Sequence, residues 1–212
     1  MRKILPILLM LFYVGCQVNE PKEKEEQATS KKLEKITLGG GCFWSVSTCF
    51  QMLKGVYNVT SGYSGGTVEH PTYQQVSTGK TGCAEVVEIE YDPEEISVSE
   101  LLDAFWFLHD PTQLNRQGND VGTQYRSVIF YRNEEQKILA EESLKKSENT
   151  DLWQGKYVTE IEPFTAFYPA EEGYQNYYED HPDTLYCKMI IAPKIAKFKV
   201  KFKFKLKPEC QK

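Results

Sequence analysis

The chain of 212 residues is 41% hydrophobic and 13% aromatic, so it is long and apolar enough to bury the core of one compact domain. Its formal net charge of −5 at pH 7 leaves no broad basic surface for phosphate groups, which excludes nucleic acid as an expected partner.

The N-terminus has the pattern of a bacterial export signal. Two basic residues precede an apolar run over residues 4–14, which is too short to span a bilayer. The run ends at Gly15-Cys16, which resembles the processing site of bacterial lipoproteins, although Tyr13 stands where leucine is usual. We predict a lipoprotein signal peptide over residues 1–16, with lipid on Cys16. Ordinary secretion with Cys16 unused is the alternative.

The remaining domain organisation follows from composition. Residues 17–33 carry clustered Glu and Lys and little apolar content, which predicts a flexible tether. We expect a folded domain over residues 34–197 and a C-terminal tail over residues 198–212. A lipid on the tether would locate the protein at the bacterial cell envelope, on the periplasmic side or the outer surface.

A glycine-rich turn presents the first candidate for chemistry. Residues 35–38 alternate as in a strand, and residues 45–53 have an apolar face at helical spacing, so Cys42 lies where a strand turns into a helix. The helix N-terminus should favour its thiolate, and the three preceding glycines should leave the sulfur open to an incoming group. This pattern indicates a nucleophile, although a buried core cysteine is the alternative.

Two further candidates lie between residues 55 and 91. Tyr73 is on a polar loop after the predicted strand at 55–63, where it is either an exposed ring or a hydrogen-bond donor to a ligand. Glu85 begins a strand over residues 84–91 that is rich in β-branched residues. A carboxyl partly removed from water there would keep its proton to a higher pH, whereas a solvated edge carboxylate would not.

The second half of the chain predicts alternating helices and strands. A helix is expected over residues 97–108 with its N-cap at Ser97 or Ser99, and another over 133–146 capped by Asn133. Strands are expected at residues 127–131 and 158–163. The polar loop 115–126 between them is long and rich in donors, which favours a binding role.

The C-terminal third ends in an unusual pattern. The aromatic-rich residues 164–178 are expected to pack over the core or to line the edge of the site. Residues 197–207 alternate lysine with apolar residues, which predicts a strand with one basic and one apolar face. We expect the apolar face to pack on the domain, and contact of the lysines with anionic lipid headgroups is the alternative.

Several of these segments together resemble one family, the A-type peptide methionine sulfoxide reductases, which act on the S epimer of methionine sulfoxide. The matching segments occur in the family's order over about residues 35–197. They are Gly41-Cys42-Phe43-Trp44, Gly62-Tyr63-Ser64-Gly65-Gly66, Pro71-Thr72-Tyr73, Ala84-Glu85-Val86, His109-Asp110-Pro111-Thr112, and Arg116 through Ser127. Several long motifs in register are more specific than any single one.

The resemblance implies a role for each candidate. Cys42 would attack the sulfoxide sulfur, and Glu85 would protonate the departing oxygen. The side chains that would surround the substrate are then Tyr73 and Tyr125 at the oxygen, Phe43 and Trp44 at the S-methyl group, and Asp120 in the same pocket. A sulfoxide oxygen leaves poorly unless it gains a proton, so a neutral acid beside it is chemically sensible. The products are methionine and a sulfenic acid on Cys42.

A second thiol must then resolve the sulfenic acid. Cys49 lies seven residues further along the same predicted helix, roughly 10 Å away by the helical rise, which is beyond the reach of a disulfide. Cys49 is therefore expected in the core. Cys187 matches the family's resolving position on a C-terminal segment. Cys210 is a further candidate that would relay the disulfide outward. Acylation of Cys16 would leave an odd number of the six cysteines, so at least one is unpaired or reactive.

Two positions depart from the family pattern. Cys83 stands where the family usually has histidine, in Gly-Cys-Ala-Glu, and Tyr174 also replaces a usual histidine. If the strand extends back to Cys83, its thiol shares a face with Glu85 and could also trap the sulfenic acid.

The resemblance implies an α+β fold: a ferredoxin-like mixed or antiparallel sheet with helices packed on it, surrounded by long coil. It implies no metal and no bound cofactor, and it implies electrons from thioredoxin or a thioredoxin-like protein. The substrate would be oxidised proteins or free methionine sulfoxide, and the protein would be a monomer.

The alternative functions are a cysteine hydrolase using one of three histidines, and a non-catalytic lipoprotein with structural disulfides.

Overall fold

The computed structural model describes residues 32–211. The predicted signal peptide, its Cys16 and most of the tether lie outside the described residues. The strands are β1 (Glu34–Gly40), β2 (Val56–Ser64), β3 (Ala84–Tyr91), β4 (Arg116–Gln117), β5 (Asp120–Val121), β6 (Ser127–Tyr131), β7 (Glu160–Pro163) and β8 (Phe167–Pro169). The α-helices are α1 (Phe43–Gln51), α2 (Tyr73–Ser77), α3 (Val98–Leu108), α4 (Glu134–Glu148), α5 (Tyr177–Asp180) and α6 (Ala192–Lys201).

Six strands form one mixed sheet in the order β7-β6-β1-β3-β2-β8. All neighbours are antiparallel except β6 and β7, which run parallel. The predicted α+β class with a mixed sheet and packed helices is confirmed. Strand β3 lies inside the sheet with six of its eight residues buried, which is why its sequence is rich in β-branched residues. Across residues 32–211, the helices are all too short or too polar to cross a bilayer.

Helices α3 and α4 begin at the caps that the sequence predicts, whereas α1 begins at Phe43, two residues before its predicted start. Ser97 caps α3: its hydroxyl accepts the Glu100 N–H at 3.3 Å, and the Glu100 carboxylate accepts the Ser97 N–H at 2.9 Å. Asn133 caps α4 by accepting the Gln136 N–H at 2.8 Å. These capping interactions satisfy N–H groups that have no partner within the helix.

Glycines let the end of β1 pack very closely against its neighbours. A Cβ at Gly39 would lie 2.9 Å from Val128 and 3.0 Å from the Glu85 carbonyl oxygen, so a side chain there would force β1 away from β3. Gly41 has φ +85°, a conformation that favours glycine, and it turns the chain into α1. Close packing at Gly39 and the turn at Gly41 are roles of these glycines that the sequence analysis did not predict.

The tail is a helix, and the predicted strand at residues 197–207 is wrong. Residues 192–201 form α6, followed by a short 3₁₀ turn. Ile195, Phe198 and Phe202 recur at intervals of three and four residues and are buried, whereas Val200 and Phe204 are 81% and 94% exposed. The alternation of lysine and apolar residues also fits a helix, because every second apolar residue falls on the helix's solvent face.

The helical tail predicts unequal roles for its apolar residues. Phe198→Ala should lower the free energy of unfolding by about 3 to 5 kcal/mol, since it empties a buried aromatic site. Val200→Ala should change it by about 0.5 kcal/mol or less because Val200 is exposed. Urea denaturation of both variants measures this difference. A strand with one apolar face would make the two losses similar in sign and size.

Candidate active site

The Cys42 thiol and the Glu85 carboxyl meet at the N-terminus of α1. Cys42 is the N-cap residue of α1, and Phe43 is its first helical residue. The Phe43 N–H donates to Glu85 Oε2 at 3.1 Å, across the short distance that Gly39 allows between β1 and β3. Cys42 is 7% exposed and Glu85 is 1% exposed. The helix start therefore holds a buried carboxyl next to a buried thiol.

Burial determines the charge state of both groups. Loss of water raises the pKa of Glu85 to about 8, although the Phe43 N–H partly opposes this shift. Of the two alternatives that the sequence left open for Glu85, its burial fits the carboxyl removed from water and not the solvated edge carboxylate. Burial, and then the charge of Glu85, raises the pKa of Cys42, so burial outweighs the helix N-terminus and the resting residue is a thiol. The prediction that the helix would favour a resting thiolate is wrong.

Tyr73 and Tyr125 converge on the same two groups. Burial raises the pKa of Tyr73 to about 12, and both Glu85 and Cys42 contribute to the rise. Burial, then Glu85 and Tyr73, also raises the pKa of Tyr125. The Glu171 carboxylate accepts the Tyr73 N–H at 2.9 Å and the Tyr63 hydroxyl at 3.2 Å, which fixes the start of α2. Both tyrosines therefore remain neutral donors near the carboxyl.

The aromatic residues after Cys42 lie in a stack of rings. Phe43 is buried in the core, and Trp44 is partly buried. The indole of Trp44 stacks on Tyr177 with centroids 3.7 Å apart and has the edge of Tyr186 at 5.8 Å. Tyr174, where the family usually has histidine, stacks on Tyr73 at 4.2 Å. The expectation that residues 164–178 line the edge of the site is confirmed for Tyr174 and Tyr177.

A cavity of about 340 Å³ opens at the Cys42 sulfur. One wall is the polar loop, from Gln117 to Asp120, as its composition predicted. The opposite wall comes from Tyr186, Ile190 and Lys194. Of the predicted site residues, only Cys42 and Asp120 line this cavity. Glu85 on β3, Tyr73 on α2 and Tyr125 lie near the thiol but outside the lining of this cavity.

Tyr186 and Lys194 belong to this site, and the sequence analysis missed both. The Tyr186 hydroxyl donates its proton to Asp120 Oδ2 at 2.7 Å and also hydrogen-bonds with the Cys42 sulfur. Lys194 Nζ donates to Ser45 Oγ at 3.0 Å, and that hydroxyl donates to the Cys42 carbonyl at 3.1 Å. Burial lowers the pKa of Lys194. The adjacency of Tyr186 to Cys187 was the one available signal, since Lys194 resembles its many neighbouring lysines.

The other described cysteines are all free and lie at different places. Cys49 is in the core, as predicted, and burial raises its pKa to about 12. Cys83 precedes β3, and its thiol contacts the Val68 carbonyl at 3.9 Å outside the Cys42 cavity. Cys187 is buried at the start of a π-helical turn, Cys187–Ile191, directly after Tyr186. Cys210 is partly buried in the last turn.

The geometry gives no support to a cysteine hydrolase. His109 is buried, and its two ring nitrogens bond the Phe105 carbonyl at 2.9 Å and the Ser127 hydroxyl at 2.7 Å. Burial lowers the pKa of His109 to about 4. Neither His70 nor His181 lines the cavity at Cys42. Within residues 32–211, the His, Cys, Asp and Glu side chains form no group that could hold a metal ion.

Comparison with known proteins identifies the family. The model of the peptide methionine sulfoxide reductase family matches residues 34–206. The chain belongs to this family. A relative named peptide methionine sulfoxide reductase MsrA from Nitratiruptor sp. is 54% identical over 165 residues, which is 78% of this chain and 94% of the relative. The MsrA of Polynucleobacter asymbioticus is 48% identical over 177 residues, covering 84% and 93% of the two chains.

Solved structures of the family have the same fold as this reductase. Methionine sulfoxide reductase A of Corynebacterium diphtheriae matches with a TM-score of 0.65 and 35% identity, covering 73% of this chain and 77% of the other. Reduced Mxr1 from Saccharomyces cerevisiae matches with a TM-score of 0.67 and 32% identity, covering 73% and 89%. The chain is therefore a thiol-dependent methionine sulfoxide reductase, and its alternative as a non-catalytic lipoprotein has no support.

The pKa of Glu85 predicts how activity depends on pH. As the proton donor that the family resemblance implies, Glu85 must carry its proton, so the rate of the first turnover should fall as pH rises through about 8. Glu85→Gln should lower this rate by about a hundredfold or more and remove the decrease near pH 8. Rapid-quench measurement of methionine formation across pH tests both effects. Glu88→Gln, on the same strand, is the matched control and should keep the wild-type profile.

Proposed function

We propose that Cys42 reduces the S epimer of methionine sulfoxide by attacking its sulfur. The observation that carries this proposal is the buried Glu85 carboxyl, held beside the thiol by the Phe43 N–H at 3.1 Å. The sulfur of the substrate gains two electrons and becomes methionine. The sulfur of Cys42 loses two electrons and takes up the oxygen from the sulfoxide, which makes Cys42 a sulfenic acid.

Glu85 supplies the proton that the sulfoxide oxygen needs to leave. A carboxyl with a pKa of about 8 is protonated at neutral pH, and transfer to the developing oxyanion leaves a carboxylate that the Phe43 N–H already contacts. Tyr73 and Tyr125 are neutral donors directed at the same oxygen. Attack also requires Cys42 to lose its proton, and the Glu85 carboxylate left after protonation of the oxygen takes it up, so the step neither gains nor loses a proton overall.

The substrate's S-methyl group is held by Phe43 and Trp44, and Asp120 borders the same pocket. In the described conformation Tyr177 covers one face of the Trp44 indole, and the edge of Tyr186 approaches it. Binding of the methyl group against Trp44 therefore requires movement of these tyrosines. The Tyr186 hydroxyl would at the same time leave the Cys42 sulfur.

Cys187 then resolves the sulfenic acid. Its thiol attacks the oxidised Cys42 sulfur, a disulfide forms and water leaves. A dithiol of the thioredoxin class returns the disulfide to two thiols and becomes a disulfide itself, so the electrons balance without a bound cofactor. Because Cys187 follows Tyr186 directly, the displacement of Tyr186 by substrate also moves the resolving residue.

Methionine yield per enzyme molecule tests these assignments. With methionine S-sulfoxide and no reductant, wild type and Cys187→Ser should each form about one equivalent, and Cys42→Ser should form none. With thioredoxin, wild type should turn over and Cys187→Ser should not. Cys49→Ser is the matched control and should behave as wild type. Turnover of Cys187→Ser with thioredoxin would show that another thiol, such as Cys83 or Cys210, resolves the intermediate.

The N-terminal sequence supports a membrane-anchored reductase. Gly15-Cys16 closes an apolar run in the manner of a lipoprotein processing site, and the polar tether over residues 17–33 provides length between lipid and domain. We place the protein at the bacterial cell envelope as a monomer that repairs oxidised proteins outside the cytoplasm. Its reductant must then be supplied across the membrane.

Expression of the full chain in a bacterial host tests the anchor. Wild type should partition into detergent and show the mass of an acylated N-terminal Cys16. Cys16→Ser should retain its signal peptide or be released without lipid, since the acceptor sulfur is lost. Unmodified wild-type protein in the soluble fraction would contradict the anchor and leave the reductase activity unaffected.

A further inference from the structure

A second cavity of about 420 Å³ adjoins the active-site cavity. Its apolar wall is formed by Phe107, Leu152, Trp153 and Pro193. We call these four residues, with Ile190 at the junction, the apolar groove. None of the reactions described above uses it.

The groove is continuous with the pocket of the reactive thiol. Gln117, Ile190 and Lys194 line both cavities, so the two spaces meet along a shared edge. Cavities of this size have centres roughly 10 Å apart, which is about three residues of extended chain. A peptide with its methionine sulfoxide at Cys42 would therefore place a neighbouring residue in the groove.

The groove wall is already formed in this structure. The Trp153 indole N–H donates to the Trp106 carbonyl at 2.7 Å, which fixes the ring. Phe107 is supported from behind by Phe202, with ring centroids 5.6 Å apart and nearly perpendicular. Leu152 and Ile190 remain 39% and 37% exposed. Apolar side chains that are exposed on a rigid wall gain most when a ligand covers them.

We propose that the groove binds a large apolar side chain about three residues from the methionine sulfoxide in an unfolded protein substrate. Methionine is mostly a core residue, so its sequence neighbours in an oxidised, unfolded segment include many apolar residues. The proposal rests on the reductase activity and extends it from the sulfoxide to the flanking peptide. Free methionine sulfoxide has no flanking residue and does not use the groove.

Matched peptides test the proposal with the full chain and dithiothreitol as reductant. Each peptide has blocked ends and one methionine S-sulfoxide, with either leucine or asparagine three residues before or after it. These two side chains are similar in shape, but only leucine gains from leaving water. Of the two leucine peptides, wild type should reduce one faster than the other. For that peptide, kcat/KM should be roughly tenfold higher than for the peptide with asparagine at the same position.

Leu152→Asp should reduce this preference to about twofold or less because it places a charge on the groove wall. Its kcat/KM for free methionine S-sulfoxide should stay within about twofold of wild type, since Leu152 does not line the cavity at Cys42. Val200→Asp is the control: Val200 is also apolar and 81% exposed, but it lies outside the groove, so the preference should remain.

Three results would overturn the proposal. Wild type could reduce leucine and asparagine peptides equally well in both positions. Leu152→Asp could lower kcat/KM for the leucine and asparagine peptides by the same factor, which would indicate a general structural effect. When thioredoxin replaces dithiothreitol, Leu152→Asp could lower the rate although it leaves the peptide preference with dithiothreitol unchanged, which would assign the groove to the reductant. Absence of any reduction of free methionine S-sulfoxide would instead contradict the reductase activity itself.

Discussion

The structure of the site depends on one hydrogen bond, from the Phe43 N–H to the Glu85 carboxyl. It joins the first turn of α1 to β3 and so fixes a proton donor next to the reactive thiol. The bond can form only because Gly39 lets β1 approach β3 closely and Gly41 turns the chain at a positive φ. The glycines thus determine the position of the acid as well as the path of the backbone.

The same burial has opposite chemical consequences for the two reacting groups. It keeps the proton on Glu85, which is what a proton donor needs, and it also keeps the proton on Cys42, which opposes nucleophilic attack. The hydrogen bond between the Tyr186 hydroxyl and the Cys42 sulfur partly opposes this effect, because it lowers the pKa of Cys42. Substrate binding has to change both the hydration and the hydrogen bonds of the thiol.

Local patterns were sufficient to predict many of the strands and helices, whereas the chemistry at Cys42 came from the family resemblance. Strand β3 and the caps at Ser97 and Asn133 follow from alternation and capping residues, which act over a few positions. The β-branched strand made a raised pKa of Glu85 one of two alternatives, and only its burial in the structure distinguishes them. The prediction of a strand in the tail failed because lysine alternating with apolar residues fits both a strand and a helix. Only the packing of Phe198 distinguishes the two.

Long-range contacts were beyond local patterns. Tyr186 reaches Asp120 across 66 positions in the chain, and Lys194 reaches Ser45 across 149. Lys194 does not differ in its sequence neighbourhood from several lysines nearby, and the local signal for Tyr186 is only its adjacency to Cys187. Likewise, the apolar groove combines residues from α3, from the segment after α4 and from the start of α6. Such sites are determined by tertiary packing.

The proposed reduction of the sulfoxide requires that Glu85 holds a proton at neutral pH in the resting enzyme. Carbon-13 NMR of the enzyme labelled at the glutamate side-chain carboxyl, with Glu85→Gln used to assign the resonance, measures this directly. We expect the Glu85 signal to have the chemical shift of a protonated carboxyl at pH 6.5 and to titrate near pH 8. A signal that is fully ionised at pH 6.5 and titrates near 4.5 would contradict the account.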